Sequence, residues 1–142
     1  MNNEVIKGQL PSPLEDACLL IGRALLGIYF ILPGVSKITG YEGTVAYMTE
    51  HNVPMIDVLL PLTILIQIGV GLAIVVGYKG QIAAFVLAGL TLVISIYMHN
   101  FWDMEEGLAR SHETQNFFKN LGIMAGLLVM ASLGTGKYSL KR

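Results

Sequence analysis

The sequence predicts an all-α integral membrane protein built as a four-helix bundle, and three observations predict it. Of the 142 residues, 54% are hydrophobic and 13% charged, about half the charge of a soluble domain. Mean hydropathy is +0.62. Four runs also reach the roughly 20 mostly apolar residues that a helix needs to cross hydrocarbon: approximately Leu14 to Lys37, Met55 to Gly77, Gln81 to Phe101, and Asn116 to Leu133. Backbone polar groups in lipid must be satisfied within the segment, so runs of this length are helices.

The expected organisation is a polar N-terminal segment (residues 1–13), one four-span membrane domain (14–136) and a basic cytoplasmic tail (137–142). The start, MNNEVIKGQLPS, is polar and breaks at Pro11 and Pro13. A cleavable signal peptide begins basic and then turns apolar, so the first run is expected to be a permanent span. With four spans both termini share a side, and that side carries Lys7, Lys79, Lys137, Lys141 and Arg142. On the other side Lys37, Arg110 and Lys119 are outnumbered by Glu42, Glu50, Asp57, Asp103, Glu105, Glu106 and Glu113. The positive-inside rule then places both termini in the cytoplasm. The absence of a basic stripe argues against a nucleic-acid partner. Cys18 is the single cysteine, so electron transfer would require a bound cofactor in place of a thiol pair.

In the first span Arg23, Gly27, Phe30, Gly34 and Lys37 recur at helical spacing and share one face. Arg23 is expected to pair with Asp16 or to snorkel to the head groups, and Pro33 to kink the helix by removing a hydrogen bond to Tyr29. Between spans one and two, Tyr41, Val45 and Met48 form an apolar stripe, which predicts a short interfacial helix packed on the membrane surface. In the second span Pro61 frees the Asp57 carbonyl, and Thr63, Gln67 and Gly71 align, with Gln67 near mid-bilayer. Its plain role is an interhelical hydrogen bond.

The third span carries Thr91, Ser95, His99 and Trp102 on one face. The fourth answers with His112, Asn116 and Lys119, and the same spacing continues to Gly122 and Gly126, a GxxxG pair expected to form the close-packed seam or a homo-oligomer contact.

Polar residues inside a bilayer should face the bundle interior, so these stripes predict a pocket at the external end, centred on the two ends of the stretch His99 to Lys119. A quinone head would need proton exchange, donors to its oxygens and an apolar slot. His99 and His112 supply the first, as candidate catalytic groups. Lys37, Gln67, Asn116 and Lys119 supply polar contacts, and Trp102 would flank a ring together with Phe101, Phe117 and Phe118, unless these aromatics serve only the interfacial belt. His99, Asp103, His112 and Glu113 lack tight metal-ligand spacing, so no metal is expected. A membrane assembly or anchor subunit, or a small-solute permease, uses the same bundle. One mid-membrane Gln and no buried carboxylate argue against ion-coupled transport by this chain alone.

At LIGRALLGIYFILPGVSKI, and again at FFKNLGIMAGLL, the chain resembles the DoxX family of small bacterial membrane proteins. The resemblance covers approximately Leu14 to Leu133, with Arg23, Gly27, Gly34 and Lys37 at the recurrent positions of the first helix. It implies a role in or beside a quinone-linked oxidoreductase system, with partners in the membrane. It implies no agreed catalytic set, and a chain without a cysteine pair departs from a direct thiol relay.

Overall fold

The computed structural model describes residues 9–141. Residues 1–8, most of the expected N-terminal segment, and Arg142 lie outside the described residues. Six helices follow in order: α1 (Ser12–Thr39), α2 (Tyr41–Glu50), α3 (Ile56–Leu65), α4 (Gly71–Val76), α5 (Gly80–Met98) and α6 (Leu108–Leu133). A π-helical turn (Ile66–Val70) joins α3 to α4, and a short 3-10 turn (Phe101–Asp103) follows α5. Four continuous stretches are long and apolar enough to cross a membrane: Ser12–Thr39, Ile56–Val76, Gly80–Asp103 and Leu108–Leu133.

Each boundary has a local cause. Pro13 sits in the first turn of α1, where its missing N–H costs nothing and its fixed φ suits the helix. Pro33 lies well inside α1, yet the helix continues to Thr39. Gly77 closes α4 in the left-handed conformation, at φ 73°, the usual helix-ending geometry for glycine. The fourth span starts eight residues before the expected Asn116, because Gly107 ends the loop and Leu108 onward is already helical.

The bundle is stitched by neighbours in sequence. α1 runs along α4 and the π turn, α4 meets α5, and α5 and α6 form the most extensive pair, whereas α1 and α6 make little direct contact. The core comprises Phe30, Ile74, Ala83, Ala84, Leu87, Ala88 and Leu127. Small residues on α5 let α6 approach closely, which matters in lipid, where contacts rather than water exclusion hold helices together.

A close backbone approach between helices lies elsewhere than expected. A Cβ on Gly27 would fall 2.7 Å from the Gly71 carbonyl oxygen, and one on Gly71 would fall 3.1 Å from the Gly27 carbonyl. These two glycines form the α1/α4 seam. Nothing lies within 4 Å of a Cβ on Gly122 or Gly126, and both are exposed on the lipid-facing side of α6. The GxxxG pair therefore does not close the bundle of one chain.

Arg23 corrects a second expectation. It is 2% exposed and pairs with no carboxylate among the described residues. Its Nη1 donates to the Thr135 carbonyl at 2.7 Å and to Ser139 Oγ at 2.9 Å, its Nη2 to the Tyr138 carbonyl, and its Nε to the Val75 carbonyl at 3.2 Å. The segment after α6 thus folds back under the bundle. Leu140 and Lys141 donate backbone hydrogen bonds to the carbonyls of Val76 and Gly77, and Lys79 donates to that of Lys141. The expected basic tail is hydrogen-bonded to the bundle through Tyr138 to Lys141, with most of its side chains exposed.

Candidate functional site

Because α1 and α6 stand apart, the half of the bundle bearing α2 holds a cavity of about 740 Å³. That volume lies within the usual range for small-molecule sites. α1 contributes Phe30, Pro33 and Lys37; α2 contributes Tyr47 and Met48; the second span contributes Leu60, Thr63 and Gln67; α5 contributes Thr91, Ile94 and His99; and α6 contributes Lys119 and Asn120. The lining is mostly apolar, with a few convergent polar groups. Among the described residues, no Asp or Glu lines the cavity.

Gln67 owes its position to the π turn, whose extra residue per turn changes the facing of side chains along the span. Gly34 accommodates it, since a Cβ there would lie 3.1 Å from Gln67 Cβ. Gln67 is 4% exposed, and its Oε1 has no hydrogen-bond partner among the described residues. The interhelical hydrogen bond expected of Gln67 is not made among the described residues.

On α5, Thr91 and Ser95 are buried, and their hydroxyls donate to the carbonyls of Leu87 and Thr91 at 2.7 Å each. Ser95 Oγ also accepts from Asn120 Nδ2 at 3.1 Å, while Asn120 Oδ1 accepts from the Tyr29 hydroxyl at 3.4 Å. This chain of contacts spans α5, α6 and α1 beneath the mouth of the cavity.

At the mouth, His99 Nδ1 meets Glu113 Oε2 at 2.5 Å, with the two side chains 18% and 20% exposed. Tyr47 reaches Glu113 Oε1 at 3.5 Å, and Asn116 Nδ2 donates to Oε2 at 3.5 Å. Partial burial of Tyr47, and after it the nearby Glu113 carboxylate, raise the tyrosine pKa above its ordinary value. Tyr47 also stacks on His51 at 4.4 Å between ring centroids. α2 is thereby tied to α6 across the mouth.

The structure brings together four of the seven sequence-nominated residues at the cavity: Lys37, Gln67, His99 and Lys119. Asn116 stands one step back, between Glu113 and Lys119, whose amine it accepts at 3.4 Å. His112 is exposed and does not line the cavity. Trp102 is 47% exposed and packs edge-on against Phe101 and Phe117 at the α5/α6 hairpin, also outside the lining. Among the described residues, no three His, Cys, Asp or Glu side chains group as metal ligands.

Asn120 and Tyr47 are absent from the candidates that the sequence offers, and Glu113 enters them only as a metal ligand that its spacing argues against. The signal for two of them was present: Glu113, Asn116 and Asn120 share a helical face as well as His112, Asn116 and Lys119 do. The two stripes share Asn116 and are rotated by less than the roughly 100° of one residue step, and polar side chains occupy both. Packing of α6 on α5 through Asn120 and Leu127 selects the first.

Comparison with known proteins adds a lineage. The family model DoxX matches residues 18–100. Inner membrane protein YqjF of Escherichia coli (strain K12) is 41% identical over 129 residues, covering 91% of this chain and 93% of that protein. Inner membrane protein YphA of the same organism is 32% identical over 124 residues, covering 87% and 88%. A Surfeit locus protein 4 homolog of Drosophila melanogaster is 31% identical over 68 residues, 47% of this chain and 25% of that protein. No solved structure matches significantly.

Proposed function

This chain belongs to the DoxX family and is a multi-pass inner-membrane protein, and from that premise we propose that it holds a quinone-class carrier for a membrane oxidoreductase system. The observation that carries this reading is one cavity combining an apolar lining, the amines of Lys37 and Lys119, an unsatisfied buried amide at Gln67, and the His99–Glu113 pair at its mouth. These residues suit a flat ligand with two oxygens. Lys37 and Lys119 would meet an oxygen, Gln67 would hold the other side of the head, and Phe30 and Leu60 would offer apolar contact. When bound, a quinone supplies two-electron, two-proton carrier chemistry. The chain's own contribution is to orient the head, exclude water from it and exchange protons through His99, which its contact with Glu113 orients. In this reading the α2 end faces the periplasm, as the excess of basic residues at the opposite end suggests.

A second reading has its own observation. The exposed Gly122 and Gly126 on α6 would suit a homo-oligomer or a partner subunit, making the chain an assembly or anchor subunit.

Binding of a water-soluble short-chain benzoquinone to the protein in lipid nanodiscs, measured calorimetrically against empty nanodiscs, tests the first reading. Saturable one-to-one binding, weakened about tenfold or more (~1.4 kcal/mol) by Lys37→Met with Lys119→Met, is expected. Signal indistinguishable from partition into empty nanodiscs would overturn it.

A further inference from the structure

The cavity is closed on one side and open on the other. Its lining residues on the second and third spans, from Leu60 to His99, are all buried or half-buried. The exposed lining residues include Tyr29, Leu32 and Ser36 on α1, Gly43 and Tyr47 on α2, and Lys119 on α6. The opening is therefore framed by α1, α2 and α6. α1 and α6 make little direct contact. Among the described residues the one hydrogen bond between these two helices runs from the Tyr29 hydroxyl to Asn120 Oδ1, at 3.4 Å, and Tyr29 is the deepest α1 residue in the lining.

Depth decides what the opening meets. Lys37 lies in the last turn of α1. Leu32 and Tyr29 are five and eight residues further in, roughly 7.5 and 12 Å of helical rise, within a stretch apolar enough to cross a membrane. Leu32 is 61% exposed, and at that depth its neighbours outside the protein are lipid chains. Beyond Lys37 the chain turns into α2, whose buried Met48 lines the cavity and whose Tyr47 reaches Glu113 at 3.5 Å. That end is covered. The α1 wall also changes character along its length, from Phe30, Leu32 and Pro33 deeper in to Ser36 and Lys37 near the helix end. A ligand with a polar head and an apolar chain matches this order of surfaces, its head beside Lys37 and its chain level with Leu32.

We infer that the carrier is a tailed, lipid-phase molecule that enters sideways from the bilayer, between α1 and α6 and beneath α2, and leaves its isoprenoid or acyl chain in that gap against Leu32 and Tyr29. This rests on the carrier-site reading above and narrows its ligand to the membrane-borne class. The bond from Tyr29 to Asn120 closes the deep end of the gap, so the chain passes out above it.

A benzoquinone with a decyl chain and the same head without one are compared by calorimetry on the nanodisc-embedded protein, each affinity being expressed against the ligand's own concentration in the bilayer. The tailed form is expected to bind about tenfold more tightly. Leu32→Trp, which fills the gap, is expected to remove most of that gain. A quinone carrying a diazirine at the end of its chain is expected to label the Tyr29–Ser36 stretch of α1 or the facing part of α6, and excess unlabelled tailed quinone to displace that labelling. Equal affinities of the two forms would overturn the lateral entry while leaving the carrier site standing, as would displaceable labelling confined to α2 and residues 51–55. Absence of saturable binding by either form would overturn both. A Leu32→Trp protein that folds and keeps the full gain would also overturn the assignment, and if that variant does not fold, the labelling pattern decides.

Discussion

Arg23 Nη1 donates to the carbonyl oxygen of Thr135 at 2.7 Å, across 112 positions of sequence. With its bonds to Val75, Tyr138 and Ser139, this single guanidinium ties α1, α4 and the segment after α6 together. Arg23→Ala is expected to lower stability by about 3 kcal/mol, because buried acceptors lose a charged donor. Arg23→Lys should lose less but not recover the original value, since one amine cannot serve acceptors spread over three segments. Thermal unfolding in detergent and carboxypeptidase trimming of the C-terminal segment check this. Unchanged resistance to trimming in Arg23→Ala would count against the clamp.

The two glycine pairs should separate cleanly. Gly27→Leu or Gly71→Leu forces α1 off α4, and overpacking of this kind costs about 1–3 kcal/mol or more. Gly122→Leu with Gly126→Leu meets open space, so the monomer should unfold within about 0.5 kcal/mol of the original. If oligomers form through α6, cross-linking will show them lost in the second variant. A fall in monomer stability there would restore the sequence-level seam.

Tyr47 should ionise above the other tyrosines in an ultraviolet pH titration, with Tyr47→Phe identifying its step. Since its folded pKa is raised, the Tyr47 contact contributes below the ordinary tyrosine value and is lost as pH climbs through the raised one. Glu113→Gln removes the second cause, the neighbouring charge, but not the first, burial. The step should therefore move down without reaching the ordinary value. No movement in Glu113→Gln would mean that α2 is not in electrical contact with α6.

Asn120 bridges Ser95 and Tyr29 from a buried position. Asn120→Ala should cost about 1 kcal/mol, the scale of an interhelical hydrogen bond in a membrane protein. A double-mutant cycle with Ser95→Ala should show coupling, because the two side chains share one bond. Additive losses would place the contribution of Asn120 elsewhere.

The sequence by itself determined the four spans, the interfacial helix and the inward faces of the first three spans. Apolar length and the burial of polar groups away from lipid are local properties, readable from spacing. Lys37, Gln67 and His99 were found on that basis. The tertiary structure alone decided that Glu113 and Asn120 turn inward on α6 while His112 turns out, because a small rotation of the helix separates these faces and the packing of Asn120 and Leu127 on α5 chooses it. It also decided that Gly27 meets Gly71 while Gly122 and Gly126 face outward, since a small residue permits a close approach without naming the partner. Arg23 shows the same division. Its place on the inner face was legible, but its acceptors are carbonyls of a distant segment, and backbone oxygens leave no mark in an amino-acid sequence.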